Sequence, residues 1–149
     1  MARLPSLALA GLLLAAPAAL PGAEPRLVIV VNVDSGVTQV TREEVRNIFL
    51  GRQKRLSSGL PAVPVEQQDP SGIRERFYRL LVNKDLAEIS AYWARLFFTG
   101  QAHPPRGERS AEEVIRAVAA NRSAIGLVEW GRLDSRVRVV LDVAAAEAP

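Results

Sequence analysis

Val63-Pro64-Val65-Glu66-Gln67-Gln68-Asp69-Pro70-Ser71-Gly72-Ile73-Arg74 runs from a short β-branched strand through a polar turn into a helix. The first N–H groups of a helix have no partner within it, and the helix dipole places partial positive charge there. Gly72 lets a ligand approach the backbone, the Ser71 hydroxyl can donate to an oxyanion, and Arg74 brings a full positive charge into the first turn. Together these residues describe an anion-binding helix terminus. A second reading is that Asp69 or Ser71 is an ordinary N-cap and Gly72 is incidental. The stretch alone leaves both open.

Working outward, the flanking segments alternate between the two regular periods. Arg26 to Val33 is a continuous β-branched run, expected for a strand buried on both faces. Thr41 and Glu44 form a capping box, with Val40 and Val45 as a hydrophobic staple, and Val45, Ile48 and Phe49 continue as an apolar stripe closed by Gly51. Ala62 to Val65 is the strand that feeds the quoted turn. The helix after the turn carries Ile73, Phe77, Leu80 and Leu81 on one face. Asp85 with Glu88 opens another helix, whose stripe is Leu86, Ile89, Trp93, Leu96 and Phe97 and whose stop is Gly100. Gln101 to Glu108 reads as a loop. Ser110 with Glu113 repeats the capping-box pattern ahead of Val114, Ile115, Val118 and Ala119. Ala124–Val128 and Val137–Leu141 are strands, and Ala144 to Pro149 is a frayed tail. The order β-α-β-α-α-α-β-β describes an α/β domain with a small, partly parallel sheet.

The first 23 residues differ in kind. Met1-Ala2-Arg3 carries one positive charge, Leu4 to Leu20 is uncharged, and Pro21-Gly22-Ala23 ends in small residues before Glu24. These are the three parts of a secretory signal. Pro5, Gly11 and Pro17 interrupt the apolar run, which is shorter than the ~20 residues of a spanning helix. The expectation is a cleaved signal at 1–23 and one domain at 24–149. Removing the signal leaves 18 basic and 16 acidic residues, a balance too even for a nucleic-acid-binding surface. The chain contains no cysteine. That excludes disulfides, thiol catalysis, thiolate zinc sites and a lipoprotein anchor, and points to release into a periplasm with contact to membranes only through partners.

No group stands out as catalytic. His103 is the single histidine, and no serine sits in a G-x-S-x-G turn. The acidic pairs Glu43-Glu44 and Glu112-Glu113 fall in first turns, where they complement the dipole. The expectation is a binding protein that is not an enzyme and has no metal or cofactor. Arg52, Lys54 and Arg55 form a basic loop that is either solvated or turned to an acidic partner. His103 and Arg106 lie in a loop that can reach the same cleft as the turn. Tyr92, Trp93, Phe97 and Phe98 crowd one helix, with core packing accounting for Trp93 and Phe97. Trp130 follows a strand and can flank the cleft or a partner surface.

Three stretches, in order, resemble phosphate-type periplasmic binding proteins of ABC transporters. They are Ile48-Phe49-Leu50-Gly51-Arg52, then Asp69-Pro70-Ser71-Gly72-Ile73 followed by Phe77, and Arg122-Ser123-Ala124-Ile125-Gly126-Leu127-Val128-Glu129. The resemblance spans about residues 26–141. It implies one lobe of a type II periplasmic-binding-protein-like fold, a small mixed sheet flanked by helices. It also implies an oxyanion site built from Asp69, Ser71, Gly72, Ile73 and Arg74 with Gln67 at its edge. Two positions depart from the family: Gln67 stands where an Arg is usual, and Ile73 where a Thr is usual. The implied function is an exported solute-binding lobe for phosphate or a related oxyanion, serving an ABC permease or an envelope sensor. The alternative is an envelope adaptor that retains the fold and acts through protein contact.

Overall fold

The computed structural model describes residues 24–68 and 72–145. The signal assigned to 1–23, the turn residues Asp69, Pro70 and Ser71, and the end of the tail lie outside the described residues. Five strands form one mixed sheet: β1 Leu27–Asn32, β2 Val63–Gln67, β3 Arg106–Glu108, β4 Ala124–Glu129 and β5 Val137–Asp142. Their order is β3-β2-β4-β1-β5. β2 runs parallel to β3 and β4, whereas β1 is antiparallel to both β4 and β5.

β1 is buried along its whole length, as its sequence requires. The cause is its place inside the sheet with helices on both faces. Leu27, Ile29 and Val31 point into a core shared with α1 Arg42–Phe49, α2 Ile73–Val82 and α3 Leu86–Phe98. Val28 and Val30 point the other way, onto α4 Ala111–Ala120. α4 approaches the sheet closely, because a Cβ on Gly126 would lie 2.8 Å from Val118 Cγ2 and 2.9 Å from Val114 Cγ1. Asn32, buried at the end of β1, donates to the carbonyls of Val118 and Ala119 at 3.0 and 2.9 Å and so closes the last turn of α4.

The helix starts follow local chemistry. Thr41 and Asp85 each accept the N–H of the glutamate three residues on, and Glu44 and Glu88 return the bond to the cap backbone. Ser110 also caps its helix, accepting from Glu113 N–H at 3.2 Å. The box there is not closed, because the Glu113 carboxylate instead accepts from the backbone and guanidinium of Arg109. Gly51 takes the left-handed conformation expected of it.

Two expectations are corrected. The segment read as a loop over 101–108 contains β3, whose residues become a strand by pairing with Val65, Glu66 and Gln67. Pro64 precedes that pairing, so its missing N–H breaks no ladder on the β3 side. Phe97, read as core, is 61% exposed, since the helix buries only Ile89 and Trp93 fully. Ile73 belongs to the core, on the apolar face of α2 where its spacing put it.

The outer edge of β5 is partly covered. The Val40 N–H donates to the Val140 carbonyl at 3.2 Å, and the Arg42 guanidinium donates to the Val143 carbonyl at 2.7 Å. At the opposite edge β3 is only three residues long. No helix among the described residues is long and apolar enough to cross a membrane.

Candidate functional site

Because β2, β3 and β4 are parallel, their carboxyl ends, Gln67, Glu108 and Glu129, open on the same rim. α2 and α4 both start at that rim. Crevices beyond the carboxyl ends of parallel strands are where open α/β sheets bind ligands. Gln67 ends β2 buried, and it lines a cleft of about 510 Å³ with Ser110, Glu112, Glu129, Arg132 and Asp134.

α2 begins at Gly72, at φ 80° and ψ 0°, with no side-chain cap. Only glycine adopts that conformation without strain. Among the described residues, a Cβ placed there would meet nothing within 4 Å, so that side of Gly72 is open. Gly72 is therefore demanded by the turn as well as permissive for a ligand. Gly72 and Ile73 line a neighbouring hollow of about 460 Å³, which also includes Arg76, Arg79 and Glu129. Glu129 lines both hollows.

Of the residues expected at the site, Gln67 and Gly72 reach the rim. Asp69 and Ser71 lie outside the described residues. Ile73 sends its side chain inward and is 4% exposed, so it can offer only backbone. Arg74 is directed at another task. Its Nε donates to Glu66 Oε1 at 2.5 Å, and Tyr78 O–H donates to Glu66 Oε2 at 2.6 Å. The Arg74 guanidinium also lies 5.5 Å from the centre of the Tyr78 ring.

Glu66 is 1% exposed. Burial pushes its carboxyl above the ordinary range, while the Tyr78 hydroxyl and the Arg74 charge pull it back. Burial and then the Glu66 charge raise the Tyr78 phenol, which therefore remains a neutral donor. This triad ties the first turn of α2 to the end of β2. It takes up the charge that the sequence offered to a ligand.

The cleft itself is not positive. Glu112, Glu129 and Asp134 stand against Arg132 on its walls. Glu112 is partnered by Arg116 at 3.1 Å and Asp134 by Arg136 at 2.7 Å. Hydrogen bonds from Arg136 hold the Asp134 carboxyl below its ordinary range. An anion in this cleft would depend on backbone N–H groups and the dipole of α4, whose first residues line it, with little help from side-chain charge.

His103 and Arg106 do not join this rim. They line a hollow near Val63 and the start of β3, at the amino ends of the parallel strands. Trp130 does stand at the carboxyl rim, 46% exposed, with the Arg26 guanidinium 4.2 Å from its ring centre. Among the described residues no cluster of three or more His, Cys, Asp or Glu could hold a metal ion.

No family model and no curated protein matches this sequence. Solved structures do match. An ABC-type phosphate transport receptor from Vibrio cholerae aligns over 78% of this chain and 45% of its own, with 22% identity and a TM-score of 0.62. A putative phosphate ABC transporter substrate-binding protein from Clostridium perfringens, solved with bound phosphate, aligns over 78% and 44%, with 18% identity and a TM-score of 0.63. PstS from Borrelia burgdorferi aligns over 78% and 46%, with 16% identity and a TM-score of 0.60. The chain spans less than half the length of each. It has the α/β fold of a single lobe of the phosphate-type periplasmic binding proteins.

Proposed function

We propose that this chain is an exported, periplasmic solute-binding lobe for phosphate or a related oxyanion, working with an ABC transporter or an envelope sensor and not as an enzyme. The ligand would sit at the turn between β2 and α2. The observation that carries the reading is Gly72, a left-handed residue with open space where a Cβ would lie, which starts α2 at the carboxyl rim of the parallel strands. The fold, shared with phosphate-binding receptors, supports the same assignment.

The affinity follows from the contacts. With Arg74 held by Glu66, the ligand relies on two or three hydrogen bonds whose partial exposure keeps each at about 1–2 kcal/mol. Micromolar binding needs about 8 kcal/mol. A lone lobe therefore binds weakly, and a partner surface is required to complete the site. NMR titration with phosphate and sulfate tests this. Salt-sensitive shifts at Gln67–Arg74 are expected, and Gln67→Arg should tighten phosphate binding about tenfold by adding the missing charge. Absence of shifts at that turn in both proteins would remove the oxyanion reading.

The acidic walls of the cleft favour a second reading, in which the chain is an envelope adaptor that acts by protein contact. It predicts silence in the phosphate titration.

A further inference from the structure

The end of the sheet opposite the candidate turn carries a surface that the fold does not use. α3 buries Ile89 and Trp93, but its last turn leaves Phe97 61% and Phe98 88% exposed. These are two of the four phenylalanines in the chain. Phe97 lies edge-on to Phe98, with centroids 6.4 Å apart, and to His103 at 6.3 Å. Adjacent solvent-facing aromatic rings are costly unless something covers them.

Beside them is a hollow of about 450 Å³ with an apolar floor that includes Ile48, Ala62 and Pro64 and a basic edge of Lys54, His103 and Arg106. None of its lining residues is a carboxylate. Arg106 is partnered by Glu108 at 2.5 Å. Lys54 donates to the neutral Gln101 carbonyl at 3.3 Å, so that bond leaves its charge uncompensated. Lys54 forms no salt bridge among the described residues.

We propose that this surface docks a protein segment carrying acidic side chains around one apolar anchor. The anchor enters the hollow beside Phe97 and His103, and the carboxylates meet Lys54 and the outer face of Arg106. A segment with one apolar anchor and flanking carboxylates matches both the apolar recess and the uncompensated charge of Lys54 at its edge. The surface lies at the amino ends of β2 and β3, so a partner seated there leaves the rim at Gly72 open. The proposal is independent of whether that turn holds an anion.

The test is NMR titration of the isotope-labelled protein with an end-blocked peptide of sequence Glu-Glu-Leu-Phe-Glu-Glu. Its lysine counterpart and vesicles of mixed phosphatidylcholine and phosphatidylglycerol serve as the other arms. Shifts at Lys54, at 97–103 and at Arg106 are expected with the acidic peptide alone. Phe97→Ser and Lys54→Glu, both at exposed positions, should each weaken binding at least about tenfold while leaving the unfolding midpoint in place. Three results would overturn the proposal. They are no shifts with the acidic peptide, shifts with vesicles but not peptide, or concentration-dependent broadening of these signals in protein alone, which would make a second copy the occupant.

Discussion

Arg74→Ala separates the two tasks that this arginine could have. If Arg74 serves Glu66, removing it leaves a carboxylate that is 1% exposed with only the Tyr78 hydroxyl as a partner. Breaking a buried ion pair from one side costs about 3–5 kcal/mol. Arg74 is 20% exposed, so water replaces part of what is lost and the lower end, about 3 kcal/mol, applies near neutral pH. The cost should fall in acid. Glu66 already has a raised pKa in the folded protein, and losing the neighbouring cation raises it further. A carboxyl with a raised folded pKa contributes stability that is fully present below its unfolded value and is lost as pH rises through the folded one. The variant should therefore recover most of its deficit as pH falls toward the ordinary glutamate range, leaving about 1 kcal/mol for the lost hydrogen bond. Urea unfolding of both proteins at neutral and acidic pH measures this directly. An equal deficit at both pH values would refute the assignment, as would a deficit below about 0.5 kcal/mol at neutral pH, the size of a surface pair.

Other substitutions test single features. Thr41→Ala and Asp85→Ala should each cost about 0.5–2 kcal/mol in urea unfolding, with no change at the β2–α2 turn. Ile73→Thr, which on sequence alone would restore a hydroxyl to the site, should instead cost about 1–3 kcal/mol, because it buries that hydroxyl in the core; phosphate shifts should not grow. Gly126→Ala should lower the unfolding midpoint by an amount equivalent to about 1–3 kcal/mol, since its methyl would press on Val114 and Val118.

The elements of the fold were legible where residues carry their own local signal. The β-branched run of β1 and the capping residues Thr41 and Asp85 needed no tertiary information, and their elements stand where expected. β3 was not legible, because Arg106-Gly107-Glu108 has no apolar alternation and is a strand only through its pairing with β2. Phe97 continues the spacing of Ile89 and Trp93, so periodicity assigned it to the core. Periodicity cannot say where a helix runs past its neighbours. At the site, Gly72 was legible as a helix start, while the role of Arg74 was not. A signal did exist: Arg74 and Tyr78 are four apart, hence on one face of α2, with Glu66 waiting at the end of the preceding strand. Reading it requires knowing that β2 extends to Gln67 and carries Glu66 indoors.

The partly covered edge of β5 has a consequence for the chain while it is folding and refolding. Sheets recruit other chains through rows of unpaired N–H and C=O groups. Here one such row is interrupted by Val40 and, just past its end, by Arg42 from the same molecule, and the other is only three residues long. A molecule that opens briefly and closes again therefore presents little template for intermolecular strand growth. Having no cysteine, it also has no disulfide to mispair. Unfolding should accordingly be readily reversible at high protein concentration, with self-association, where it occurs, proceeding through side chains and not through backbone ladders.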